Sequence, residues 1–193
     1  MGFQIQDGTG KGNIAGVTGN NRLLTSTVNE TIFAFAAENG DAYFIGTPVI
    51  TLTNAAESAL FYIKNNEDDS IIYENFFTTA NATTGGSPAI YTVNWYKNPT
   101  SISTSTATTP LNQNFGSSNT LTVSSIYGAQ GATFTGGTLV ASLTLPIGQF
   151  NQIPSGLVLP KGSSFGISIT PPTGNTSMPV QFGGRAILYR EQY

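Results

Sequence analysis

The stretch from Pro48 to Ile72, PVITLTNAAESALFYIKNNEDDSII, constrains the fold more than any other part of the chain. Val49, Thr51 and Thr53 interleave with Ile50 and Leu52 at period two. Residues Asn54 to Glu57 then break the run, and Leu60-Phe61-Tyr62-Ile63 begins a second apolar run. A period of two belongs to strands, and a polar break between two such runs reads as strand, turn, strand. The first run alternates like a strand with one wetted face, whereas the second is apolar on both faces, like a strand covered on both sides. The expectation is an inner strand beside an outer one. Two strands do not stand alone in water, so other segments must supply the sheets that bury them.

Those segments recur at short spacing. Thr31 to Phe44 reads either as a hairpin turning at Asn39-Gly40 or as a short helix stopped by Gly40. Ile71 to Thr79 is a strand, and Asn81 to Pro88 is a loop by composition. Ala89 to Lys97 is among the clearest strands, with Tyr91, Val93 and Trp95 on one face and Ile90, Thr92, Asn94 and Tyr96 on the other. Thr100 to Ser118 is almost entirely Ser, Thr, Asn and Gln and reads as a long connection rather than a buried element. Leu121 to Val123, Ala132 to Phe134 and Leu139 to Leu145 follow as strand candidates. Leu157 to Leu159 and Phe165 to Ile169 flank a tight connection at Pro160-Lys161-Gly162, and Met178 to Tyr189 is the last strand. About eight to ten strands with no helix beyond two turns predict an all-β fold, an antiparallel β-sandwich. The long crossing loops favour a jelly-roll or Greek-key path over a meander.

Residues 1–30 carry six glycines and only short apolar pieces. Such a segment cannot pack by itself, so it reads as an extended N-terminal arm ahead of a sandwich over 31–193. Phe3, Ile5, Arg22, Leu23 and Leu24 are its candidate contacts to another subunit or a larger surface.

The chain has no cysteine and no histidine. That removes disulfides, thiolate zinc sites, the commonest general base and every Ser/His or Cys/His triad. Charged residues make up 9% of the chain, against roughly 25% in an ordinary soluble domain. The seven basic side chains are scattered and form no stripe for a phosphate backbone, so no nucleic acid is expected. No signal peptide and no membrane span are expected either. Glu67-Asp68-Asp69 is the densest charge. It lacks the glycine and spacing of a calcium loop, so a solvated turn is favoured over a metal site. The run of glycines at 8, 10 and 12 looks like a phosphate loop but has no strand before it or amphipathic helix after it. Trp95, Tyr91 and Tyr96 have the chemistry to stack on a sugar, though core packing is the default for Trp95. Asn81 and Asn175 match the glycosylation pattern by composition alone. No catalytic residue, cofactor or metal site is expected.

The runs QDGTGKGNIAGVTGNNRLLTSTV, AAENGDAYFIGTPVITLTNAAESALFYIKNNED, NFGSSNTL and LVLPKGSSFGISITPPTGNTSM together resemble a family of small structural proteins of tailed-bacteriophage virions. Proteins of that kind are similar to capsid decoration, or cement, proteins. The resemblance implies jelly-roll trimers on the outer surface of the capsid, with the major capsid protein as partner and Gly2 to Thr27 as the arm. It supplies no individual functional residues. An uncharged, Thr- and Asn-rich surface without reactive side chains suits a protein whose work is to make contacts. The alternative expectation is a tail- or fibre-associated binding module that recognises a host surface glycan through the loops Asn98 to Ser118 and Ile126 to Gly137. An enzyme, such as a polysaccharide hydrolase, is the least supported reading.

Overall fold

A strand covered on both faces needs paired neighbours on either side and apolar layers above and below, and the computed structural model provides them around Leu60 to Ile63. The structure describes residues 32–79, 83–84, 90–146 and 150–189. The arm expected over 1–30, with Phe3, Ile5, Arg22, Leu23 and Leu24, lies outside them, as does the glycine run at 8 to 12.

The chain enters through a short helix, α1 (Ile32–Glu38). Of the two readings of this segment, helix then strand is the one that forms. Gly40, at φ 74°, reverses the chain where the amide of Asn39 reaches the Phe35 carbonyl. The strands are β1 (Ala42–Gly46), β2 (Ile50–Leu52), β3 (Ser58–Asn65), β4 (Ser70–Thr79), β5 (Thr83–Thr84), β6 (Ile90–Lys97), β7 (Ser101–Ile102) and β8 (Ser105–Ala107). They continue with β9 (Leu111–Asn112), β10 (Val123–Gly128), β11 (Phe134–Thr135), β12 (Thr138–Pro146), β13 (Phe150–Leu159), β14 (Ser164–Thr170) and β15 (Asn175–Tyr189).

One sheet has the order β13-β4-β15-β1-β9, with β2 and β5 also paired to the long β15. The second has the order β12-β6-β14-β3-β10-β8, and β7 pairs with β11 in a small third sheet. All pairings among the described residues are antiparallel. The two large sheets share one core, so the fold is the expected antiparallel sandwich.

The hairpin expected over Pro48 to Ile72 does not form. β2 pairs with β15 in the first sheet, and β3 lies between β14 and β10 in the second. The break at Asn54 to Glu57 is a crossing between layers, and so is the acidic turn that leads from β3 to β4. Burial on each strand is nonetheless as the patterns predict, alternating on β2 and nearly continuous on β3. Thr100 to Ser118 is likewise more than a connection, since it contributes β7, β8 and β9 and buries Ile102. The strands expected at Leu121 to Val123 and Ala132 to Phe134 are displaced to Val123–Gly128 and Phe134–Thr135.

The core is organised by a run of aromatic rings drawn from both layers. Trp95 meets Phe165 edge-on at 6.2 Å, and Phe165 meets Tyr73 at 6.2 Å. Phe61 lies nearly parallel to Tyr73 at 5.9 Å and to Phe182 at 6.3 Å. Offset rings at these distances gain about 1 kcal/mol per pair beyond the area they bury. The register of β14 against β3 slips so that Ile167 faces Phe61 but Ser168 faces Ala59. Leu60 is therefore the extra residue of a bulge. Leu60 and Phe61 both reach the core, while Ala59 turns to the outer face of the second sheet. On the outer face of the first sheet, Phe33 of α1 packs beside Ala42 and Ile187 and lies 4.2 Å beneath the Arg185 guanidinium. Arg185 also pairs with Glu74 at 2.7 Å, directly across the strands.

Two buried polar groups make this packing testable. Asn65 is fully buried and spans the crossing from β3 to β4. Its Nδ2 donates to the carbonyls of Asp69 and Leu159, both at 2.8 Å, and its Oδ1 accepts from the Glu67 amide at 2.8 Å. Asn65→Ala leaves those groups without their partner and is expected to cost about 3 kcal/mol in chemical denaturation. Asn66→Ala, at an exposed neighbour, should stay within about 0.5 kcal/mol. The Tyr73 hydroxyl, by contrast, is buried without a partner among the described residues, and burial pushes its pKa up. Tyr73→Phe keeps the ring stack and removes that hydroxyl, so stability measured the same way should rise by about 1 kcal/mol.

Candidate functional site

Alternation along β6 sends Tyr91, Val93 and Trp95 into the sandwich and Asn94 and Tyr96 to the outer face of the second sheet, as the sequence predicts. On that outer face, Ser168 of β14 stands directly beside Asn94, and Gly166 beside Tyr96. Glu57, at the end of the crossing from β2, lies over them. Its Oε1 accepts hydrogen bonds from Asn94 Nδ2 at 2.9 Å, from the Tyr96 hydroxyl at 3.0 Å and from the Ser168 hydroxyl. Three neutral donors thus converge on one carboxylate oxygen. Burial pushes the Glu57 carboxyl up, but the three hydrogen bonds together outweigh it and hold the pKa below the ordinary value. Burial, and then the hydrogen bond to Glu57, push the Tyr96 phenol up.

Next to this cluster the two loops singled out in the sequence come together. Ser101-Ile102 pairs with Phe134-Thr135, and the Ser103 amide donates to the Thr133 carbonyl at 2.9 Å. The remainder of the second loop is not free loop, because its first residues complete β10. Ser58 anchors the Gly131 amide at 2.9 Å, and Tyr62 donates to the Thr100 carbonyl at 3.3 Å. Ile102 and Ala132 are buried against Ala59 and Tyr62 in a small separate apolar cluster, with Phe134 packed on its flank. Phe134 also sits over Gly166, where an added Cβ would stand 2.6 Å from the ring. Only glycine lets the ring approach the sheet this closely. Phe134 and Tyr96 are 5.0 Å apart and tilted by 49°. A pocket of about 200 Å³ remains, lined by Glu57, Ala59, Tyr96, Ala132, Thr133, Phe134, Gly136 and Ser168.

The other candidates fall elsewhere. Trp95 is half-buried against the core, in keeping with the default reading. Tyr91 is buried in that core, so Tyr96 is the member of the trio on an outer face. Glu67-Asp68-Asp69 is a turn whose acids have separate tasks. Glu67 accepts from the Thr122 amide, Asp68 pairs with Lys161 at 2.5 Å, and the Asp69 carbonyl takes Asn65. Among the described residues no three acidic side chains are grouped to hold a metal ion. Asn175 is buried with its Nδ2 donating to the Leu52 carbonyl at 2.8 Å, which leaves no room for a glycan there. Asn81 lies outside the described residues. Among those residues, no helix is long and apolar enough to cross a membrane.

Sequence reasoning missed Glu57, Asn94 and Ser168 as a group because they lie on three separate segments. The available signal was a polar residue on the outward row of strands otherwise rich in apolar side chains. A group whose pKa is lowered on folding contributes stability above its unfolded value, near 4.3 for Glu, and that contribution is lost as pH falls through the folded value. Melting temperature measured from pH 6 down to pH 3 should therefore fall below about pH 4.3. In Glu57→Gln the fall should be shallower, and equal slopes would show that the carboxylate is not held in its ionised form by the cluster. No protein-family model matches the chain and no curated protein sequence matches it, so the reading of this site rests on its own residues.

Proposed function

We propose that the chain is a structural protein of a tailed-phage virion, a capsid decoration protein that trimerises on the outer surface of the head and stabilises the shell. Its partner is the major capsid protein, and the arm over 1–30 supplies part of the contact. The observation that carries the contact-making role is the open side of the sandwich, where β12 ends one sheet and β13 the other. β12 runs for nine residues, TLVASLTLP, without a charge. Leu139, Val140 and Leu143 are 50%, 55% and 43% exposed. Leu143 stands opposite Val93 and so faces the core side, yet it is left partly in water. Val158 of β13 is 61% exposed, and between the two strands a groove of about 510 Å³ reaches in to Trp95 and Phe165.

Soluble monomers blunt such edges with lysine, with bulges or by covering them. β12 has one bulge, at Val140, and among the described strands nothing pairs its outer side. A closed ring of copies covers this edge on every subunit at once, which supports the trimer. The strand order supports the jelly-roll reading. With β10 and the strands of two or three residues set aside, the sheets run β1-β15-β4-β13 and β3-β14-β6-β12. Counted along the chain these are first-eighth-third-sixth and second-seventh-fourth-fifth, the nested order of two Greek keys wound together. The scarcity of charge supports a surface made to be covered.

Light scattering on the purified chain is expected to give three times the monomer mass. Val140→Lys with Leu143→Lys, at positions already exposed, should weaken association by about a hundredfold and leave circular dichroism unchanged. A wild-type monomer at high concentration would remove the trimer. Copy number in purified particles tests the placement. A simple ratio to the capsid subunit supports decoration of the shell, and a handful per particle would move the protein to the tail or a fibre.

A further inference from the structure

The pocket beside Glu57 has a composition that the assembly reading does not use. Glu57, which lines it, is an acceptor whose charge is already shared with three neutral donors, so it needs no cation to remain ionised. Among the described residues the ion pairs are Lys161 with Asp68 and Arg185 with Glu74, and neither involves Glu57. An ionised carboxylate only accepts hydrogen bonds, and it accepts them more strongly than a neutral oxygen does. The Tyr96 and Phe134 rings, 5.0 Å apart and tilted by 49°, supply the apolar part of the lining. Ala59, Ala132 and Gly136 are small and leave the volume open, and Thr133 stands exposed at the rim. At about 200 Å³ the pocket is below the usual range for drug-sized ligands, which limits it to one ring.

We infer that this pocket binds a single neutral pyranose ring, with Glu57 Oε2, the oxygen not taken by the three donors, accepting from sugar hydroxyls and the Tyr96 and Phe134 rings against the sugar's C–H face. The alternation of hydroxyl donors with an apolar face matches a sugar on both counts. The inference does not rest on the virion reading, and oligomeric mass is measured independently of it.

The test is an amide NMR titration of the full chain with the methyl pyranosides of glucose, galactose, mannose and N-acetylglucosamine, each to about 20 mM. One of them is expected to give saturable shifts at Tyr96, Thr133, Phe134 and Ser168, with a Kd of about 1 mM. Thr133→Trp fills the mouth from an exposed position and removes none of the Glu57 donors. It is expected to weaken binding by at least about tenfold with the melting temperature unchanged. Absence of saturable shifts with all four sugars, or shifts confined to residues away from the pocket, would overturn the inference. So would undiminished binding in Thr133→Trp. Shifts at the same residues with methylammonium chloride and with none of the sugars would overturn the ligand class.

Discussion

The described fold depends on two sheets hiding their facing rows from water around the stacked rings of Phe61 and Tyr73. Without cysteine there is no crosslink, and so few charges leave little room for networks of ion pairs. Cohesion must come from burial, at about 25 cal/mol per Å² of apolar surface removed from water. The ring contacts give that burial a fixed arrangement, since rings from opposite layers meet in only a few relative positions. The bulge at Leu60 serves the same end. It turns one more large side chain inward on a strand that the second sheet has already paired on both edges.

Much of this was legible in the chain, for identifiable reasons. Leu60 to Ile63 announced a doubly covered strand because side-chain direction alternates whatever a strand pairs with. Trp95 was assigned to the core and Tyr96 to the opposite face by the same rule. The pairing itself was not legible. Asn54 to Glu57 and Glu67 to Asp69 have the composition of hairpin turns, and local composition is the same whether the chain folds back beside itself or crosses to the other layer. Ile102 illustrates a second limit. One apolar residue in a Ser- and Thr-rich segment looks incidental until Ala59, Tyr62 and Ala132 are found around it. The Glu57 cluster was out of reach because it joins positions 57, 94, 96 and 168, and only the paired register of β6 and β14 brings them together.

β6 divides the molecule's labours between its two faces. The inward row, with Tyr91, Val93 and Trp95, belongs to the sandwich, and the outward row holds Glu57 through Asn94 and Tyr96 and gives Tyr96 to the pocket. A pocket floor built on a central strand is held by the same packing that holds the core, so its geometry is set before any ligand arrives. The covering loops are secured separately, by Ser58, by Tyr62 and by the seat that Gly166 leaves for Phe134. The rigid part of the site and the part open to variation are therefore distinct.

The path of the chain has a kinetic consequence. Along β1, β3, β4, β6, β12, β13, β14 and β15, every link except that from β6 to β12 changes sheet, and β1 is paired over its whole length only by β15, at the far end of the described chain. Neither layer can be completed before the other has largely formed, so there is no half-molecule to act as a stable intermediate. Such non-local pairing slows folding and, by the same barrier, slows escape from the native state. The molecule is one that assembles late and, once closed, is held shut by its own route of winding.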